Sequence, residues 1–327
     1  MSGEKTRKPT AAPRPHPAPP QSRTGPAPET PLSRAERFIW LTARVLEQRR
    51  FAFHFRAGER EPVETALDSH QNPDGGYGHA LDPDVRGPLS HPLHACHALR
   101  VLDSLGRCAG RRVERLCHHL SRVSTPDGAL PAMPPGAATH PSAPHLPTRA
   151  TKTGDLRTTG PVVGLLHRNQ VWHAWLFRAT DHCWAHIESL HPTDPHEIRA
   201  AVDFLDGVPD RSRALAAADR LGRLVRERPW VVLDPRRPQQ CVAGPGGPPG
   251  RLLRPLDFAP RPESLARGWF TDEEMGHCLD HLAAAQEPDG GWPNRRHPWT
   301  PAIAPESRPI ETIEALRTLR AYGRPVG

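Results

Sequence analysis

One turn of seven residues occurs twice in this chain, and it limits the possible folds more than any other feature. Residues 71–77 read Gln-Asn-Pro-Asp-Gly-Gly-Tyr, and residues 286–292 read Gln-Glu-Pro-Asp-Gly-Gly-Trp. A second block follows each copy. Ser90-His91-Pro92-Leu93 leads to Ala98-Leu99-Arg100, Leu102 and Gly106; Ser307-Arg308-Pro309-Ile310 leads to Ala315-Leu316-Arg317, Leu319 and Gly323. A degenerate third turn starts at Thr125-Pro126-Asp127-Gly128. Ordered matches of this kind define a repeat, a unit that cannot bury its apolar face alone and so stacks on its neighbours.

The repeat is helical. Pro-Asp-Gly-Gly is turn chemistry, with proline presetting its angle and glycine accepting positive φ. Ser90 and Ser307 are placed to cap helices, Pro92 and Pro309 suit a first turn, and Gly106 and Gly323 stand where left-handed C-terminal caps belong. Between them apolar residues recur every third place (Leu93, Cys96, Leu99, Leu102, Leu105; Ile310, Ile313, Leu316, Leu319, Tyr322). A step of three drifts around a 3.6-residue helix, so the apolar face is wide and expects neighbours on both sides.

The rest of the chain fits around these units. Residues 1–32 hold nine prolines and almost no large apolar side chain before Leu32, which predicts a disordered tail ahead of a helical domain over 33–327. Ser33, with Glu36 behind it, is the expected first cap. Proline-rich stretches at 131–161 and 234–262 predict long surface loops, and helices are expected around Leu165–Leu190, Pro195–Asp206 and Asp210–Glu227. About ten helices can be traced in all. No segment alternates as a half-buried strand does.

Composition excludes more than it assigns. No apolar run approaches a membrane span, and no export signal is visible, so a cytoplasmic chain with its six cysteines reduced is expected. The net charge of +7 is carried almost wholly by arginine, since only Lys5, Lys8 and Lys152 are lysines. No basic stripe with interleaved aromatics and no nucleic-acid module accompanies it.

Gln71 with Gly75-Gly76-Tyr77, and Gln286 with Gly290-Gly291-Trp292, each preceded by a leucine four residues back, resemble the Gln-Trp motifs of the squalene cyclase family. That resemblance implies an all-α fold of the terpenoid cyclase and protein prenyltransferase type, an α/α toroid in which these motifs are structural. It implies an isoprenoid or other apolar small molecule in a central cavity. The family's catalytic signatures do not carry over. Where class II cyclases place their acid cluster, this chain has Pro88, Ser90 and His91, and in the last repeat Pro305, Ser307 and Arg308. Asp181-His182-Cys183 spells the prenyltransferase zinc pair but falls within a predicted helix, where residues two apart diverge.

Candidate chemistry therefore rests on His79, Asp82 and Asp84, the one tight acidic cluster behind a repeat turn, with Arg86 as an anion contact. Two close carboxylates repel, so one keeps its proton to higher pH and can act as a general acid or share a metal with His79; the plainer alternative is that Asp82-Pro83-Asp84 is a loop turn with solvated side chains. The equivalent stretch of the last repeat, Arg295-Arg296-His297-Pro298, has no acid. The His91/His94/His97 ladder with Cys96, and His182 with His186, have metal-ligand spacing but are cheap in a chain with 20 histidines. Cys117-His118-His119 reads as helix surface, and Trp172, Trp175, Phe177 and Trp184 as core. No metal site is assigned, and the sequence names no cofactor. The competing class is a non-catalytic toroid that binds a ligand or a protein partner.

Overall fold

Among the described residues twelve α-helices form a closed ring of six hairpins. The computed structural model describes residues 29–190, 194–242, 251–295 and 298–327, so most of the predicted tail and the Gly244–Gly250 run lie outside the described residues. Helix α1 (Pro31–Thr42) pairs with α2 (Val45–Phe55), α3 (Glu61–Asp68) precedes α4 (Pro92–Leu105), and α5 (Arg111–Val123) precedes α6 (Leu156–Arg168). The pairs continue as α7 (Ala174–Ser189) and α8 (Pro195–Leu205), α9 (Arg211–Arg226) and the short α10 (Pro255–Phe258), then α11 (Asp272–Ala284) and α12 (Ile303–Ala321). Even-numbered helices pack in order, α4 on α6, α6 on α8 and α8 on α10, and α12 returns to α2 and α1. Odd-numbered helices α1, α7 and α11 each touch two of them from outside. Among the described residues strand pairing is limited to isolated bridges. The fold is an α/α toroid.

Three repeat turns tie the ring, each onto the helix that follows its neighbour. Gly75, Gly128 and Gly290 have φ of +88°, +88° and +94°. Each lies flat against the backbone of an arginine one helix onward, Arg115 of α5, Arg178 of α7 and Arg34 of α1, and a Cβ would have no room in any of them. Gln71 donates to the Arg112 carbonyl at 3.4 Å, and Gln286 donates to the Pro31 carbonyl at 2.8 Å. The last turn therefore fastens the end of the chain to its beginning. Tyr77 and Trp292 fill the space behind, at 0% and 2% exposure. Trp292 Nε1 donates to the Leu282 carbonyl at 2.7 Å, whereas the buried Tyr77 hydroxyl makes no hydrogen bond with any described residue.

Helices α6 and α8 approach closest. Gly160 and Gly164 lie against the Ala200 and Asp203 carbonyls, and Gly207 lies against Gly164. Helix α6 also carries Pro161 in its interior.

Several sequence expectations shift. The first helix is capped by Thr30, not Ser33, and the chain is already packed at Leu32, whose amide donates to Val326. Residue His91 caps α4, while the Ser90 hydroxyl donates to Asp74. Ser307 and Pro309 lie inside α12, which starts a turn earlier at Ile303. Gly106 and Gly323 are left-handed as expected, and Thr271 with Glu274 forms a capping box. The predicted helix Leu165–Leu190 is two, broken where Gln170 turns to φ +55°. The 131–161 stretch is not simply surface: Met133, Ala137 and Ala143 are buried, and α6 begins at Leu156. Trp172 and Phe177 are 79% and 60% exposed, because they flank the entry to α7 on its outer side; Trp175 and Trp184 are core. Cys117 and His119 are buried, not surface. All six cysteines are free thiols.

Two substitutions test the turn packing. Trp292→Ala is expected to cost about 3–5 kcal/mol of stability by denaturant unfolding. Tyr77→Phe is expected to be neutral or to stabilise by up to about 1 kcal/mol, because it removes an unpaired buried hydroxyl and keeps the ring.

Candidate functional site

Four of the five connections longer than ten residues lie on one face of the ring; the fifth, 259–271 between α10 and α11, lies on the other. Passage from an odd to an even helix takes residues 69–91, 124–155, 227–254 and 285–302, whereas passage from α2 to α3, α4 to α5, α6 to α7 and α8 to α9 takes only a few residues. Asp82, Asp84 and Arg86 are carried by the first long connection, at the mouth from which α4 runs inward.

The acidic pair is buried, with Asp82 at 8% and Asp84 at 6% exposure. Asp82 Oδ1 accepts from the Asp84 amide at 3.0 Å, and Asp82 Oδ2 lies 3.6 Å from His97 Nδ1 on α4. The Asp82 amide donates to His94 Nδ1 at 2.9 Å. Asp84 faces His145 Nε2 at 3.9 Å, across a second long connection that pairs with this one: the Ala143 amide donates to the Asp84 carbonyl, and the Arg86 amide to that of Pro141. The proline-rich stretch covers the acids.

The loop is held in a costly shape. His79 and the next residue, Ala80, both have positive φ, +54° and +53°, which non-glycine residues adopt only under constraint. Arg44, just before α2, donates to the carbonyls of Ala80 and Leu81 at 3.0 and 3.2 Å and pairs with Glu47. Glu47 is fully buried; burial pushes it up, but Arg44, Arg50 and His97 more than offset that and leave it below its ordinary range. Arg44 and Glu47 are positioning groups that sequence reasoning missed. The sole sequence signal was two charges three apart at a helix start.

Of the expected residues, Asp82 and Asp84 come together. The His79 ring turns away to Asn72, 2.9 Å distant, and Arg86 pairs with Glu306 of α12 at 2.5 Å. The His ladder is part of the site in a different way than its spacing implied. His91 and His94 each spend Nδ1 on a backbone amide, which places the proton on Nε2, and both Nε2 atoms are buried without a hydrogen bond. His182 pairs with Asp127 of the third repeat turn at 2.8 Å, as His119 pairs with Asp74 of the first at 3.2 Å. It is a turn tie. Among the described residues no three His, Cys, Asp or Glu side chains converge as metal ligands.

Inside the ring the wall is charged. Arg50 of α2 pairs with Glu314 of α12 at 2.6 Å, and Glu314, raised by burial but lowered more by Arg317 and Arg50, is pulled down to about 2. Arg100 of α4 reaches Asp203 of α8 at 3.3 Å, passing the glycine face of α6. At the short-loop mouth Asp103, Arg168, Asp206 and Arg317, from four different even helices, line a cavity of about 460 Å³.

No family model and no curated protein matches the sequence. Among solved structures, a protein from Actinoplanes is similar in fold, at 18% identity and a TM-score of 0.50, with 89% of each chain covered. A type II terpene cyclase from Scytonema, solved with geranylgeranyl dihydroxybenzoate bound as substrate, aligns at 11% identity and a TM-score of 0.47 over 89% of this chain and 86% of its own. The first likeness agrees with the ring traced above; the second is too distant to inform function. Among the described residues no helix is long and apolar enough to cross a membrane.

The histidines predict an acid response. Burial pushes His91 down to about 4 and His94 to about 3. Both values lie below the unfolded value near 6.5, so the unfolded chain binds more protons and stability falls as pH drops through that window. Each histidine costs about 1.4 kcal/mol per pH unit below 6.5. Denaturant unfolding at neutral pH and near pH 5 should show the loss. In His94→Asn, whose amide oxygen replaces Nδ1 as acceptor, the slope should flatten.

Proposed function

We propose that the chain is an enzyme of the α/α-toroid class that works by proton transfer on a small molecule drawn in through the long-loop face. Asp82 and His97 are the reacting pair in this reading. The observation that carries it is the buried carboxylate–imidazole contact at the ring mouth, on a loop held in strained conformation by Arg44. A carboxylate beside an imidazole fixes its tautomer and supplies a matched acid and base. Asp84 and His145 support the loop, and Arg86 with Glu306 anchors it to α12.

A cyclase-like or prenyltransferase-like reaction remains the family-level form of this proposal, and the Gln-turn-aromatic repeats support it. The wall favours a substrate with a polar part. Arg50, Glu314, Arg100 and Asp203 are poor neighbours for a purely hydrocarbon chain, which would strip their water without replacing it. A non-catalytic binding toroid is the second reading. It is favoured by the residues in place of the cyclase acids: Ser90 and His91 are spent on tying the turn and capping α4.

The test is a comparison of wild type with Asp82→Asn and His97→Asn. Each is incubated with a small-molecule extract and followed by mass spectrometry, with folding checked by circular dichroism and Tm. Asn at position 82 keeps the oxygen that accepts from Asp84. Wild type should consume a compound that both folded variants leave at least about a hundredfold more slowly converted, the usual scale for losing a general acid or base. Identical profiles for all three proteins would leave the binding toroid standing and remove the enzyme reading.

A further inference from the structure

Across the ring from Asp82, four arginines converge on one buried carboxylate. Asp257 of α10 is held by Arg251 at 3.0 Å and by Arg295, whose guanidinium lies 2.7 Å from both carboxylate oxygens. It also accepts from the Arg254 amide at 2.8 Å. Its oxygens are thereby occupied, and the Arg251 and Arg254 Nε atoms are buried without a hydrogen bond. Arg199 of α8 faces the same group and makes no hydrogen bond or ion pair with any described residue. Glu311 lies beside Arg295, and Asp203 acts on Arg199 as well as pairing with Arg100. With Arg100 and Asp203 included, five guanidiniums meet three carboxylates.

A purely structural cluster would be paired out, because an uncompensated charge away from water is costly. This one is not. Burial and the neighbouring Arg251 and Arg100 push Arg199 down to about 10, and burial with Arg295 lowers Arg254 as well. Guanidiniums with free N–H groups are suited to a planar or tetrahedral oxyanion, which they grip through paired hydrogen bonds.

We propose that Arg199, Arg251, Arg254 and Arg295 form a binding site for an oxyanion group, a phosphate ester or a carboxylate, carried by the small molecule that enters the ring. Arg251 and Arg295 are prepositioned by Asp257, and Arg199 and Arg254 supply the free charge. The site shares the long-loop half of the ring with the acid pair. One ligand spanning the two would present its oxyanion here and its reacting part to Asp82. That spanning role rests on the proposed function; the anion site itself does not.

Calorimetric titration of the whole protein with inorganic phosphate and, separately, with succinate tests the proposal. One of the two should bind saturably in the millimolar range or tighter and raise Tm, and the tighter of them names the group. Arg199→Gln and Arg254→Gln leave Asp257 paired, so both should fold, and each should weaken binding about tenfold or more. Absence of saturable binding to either anion, or equal binding in the Arg199→Gln/Arg254→Gln double variant, overturns the site. If phosphate or succinate binds as expected while Asp82→Asn and His97→Asn match wild type in turnover, the oxyanion site stands and the enzyme reading falls. If those variants lose turnover but neither anion binds, the reverse holds.

Discussion

The ring depends on the fit of a left-handed glycine against the backbone of the next outer helix. At Gly75, Gly128 and Gly290 the chain passes so close to Arg115, Arg178 and Arg34 that no Cβ is admitted. Close approach does two things at once. It fixes the angle between successive hairpins, and at Gly290 it closes the ring by joining the last turn to α1. A side chain of each turn then secures the contact. Asp74 holds His119 and Asp127 holds His182, each histidine four residues after the docked arginine. In the last copy that place belongs to Phe38. Asp289 instead takes the fork of Arg308, whose guanidinium lies 4.7 Å from the Phe38 ring centre. One mechanical need, a bridge from turn to helix, is met by two chemistries.

What could be read from the sequence follows from how far apart the interacting residues are. Turns, caps and the capping box at Thr271 involve residues within four of one another, so their pattern is visible in the chain. The Gln-turn-aromatic unit repeats, and that alone carried the all-α toroid. The acid pair was visible for the same reason, as a local asymmetry between copies. His97 as the partner of Asp82 was not, because fifteen residues and a change of element separate them. Neither was the Asp257 group, whose arginines come from α8, the loop before α10 and the loop before α12. The exposed Trp172 and Phe177 show the opposite failure: aromatic identity alone does not say which side of a helix faces the ring.

Helix boundaries were misplaced where tertiary contacts outweigh local preference. Serine at position 307 is a good cap in isolation, yet α12 starts earlier and buries it at 3% exposure. The helix then carries Pro309 in its interior, giving up one amide bond. What offsets the loss is that the first turn of α12 buries Ile303 and offers Glu306 to Arg86.

The charged wall and the closed ring are linked by the same geometry. Charged side chains on the inner helices are costly to leave unpaired where the ring shields them from water. Most of the lining meets this by pairing across helices: Arg50 with Glu314, Arg100 with Asp203, Arg168 with Asp103 at 3.6 Å. Such cross-ring pairs take the place that apolar packing holds in the glycine-lined α6–α8 seam, and they hold polar groups facing inward. The places where pairing is incomplete are then informative. Among the described residues they include the His91 and His94 Nε2 atoms beside Asp82 and the Arg251 and Arg254 Nε atoms around Asp257, and also atoms of Arg50, His54 and Trp269 elsewhere in the ring. Those beside Asp82 and Asp257 are the ones that the proposed ligand would supply with partners.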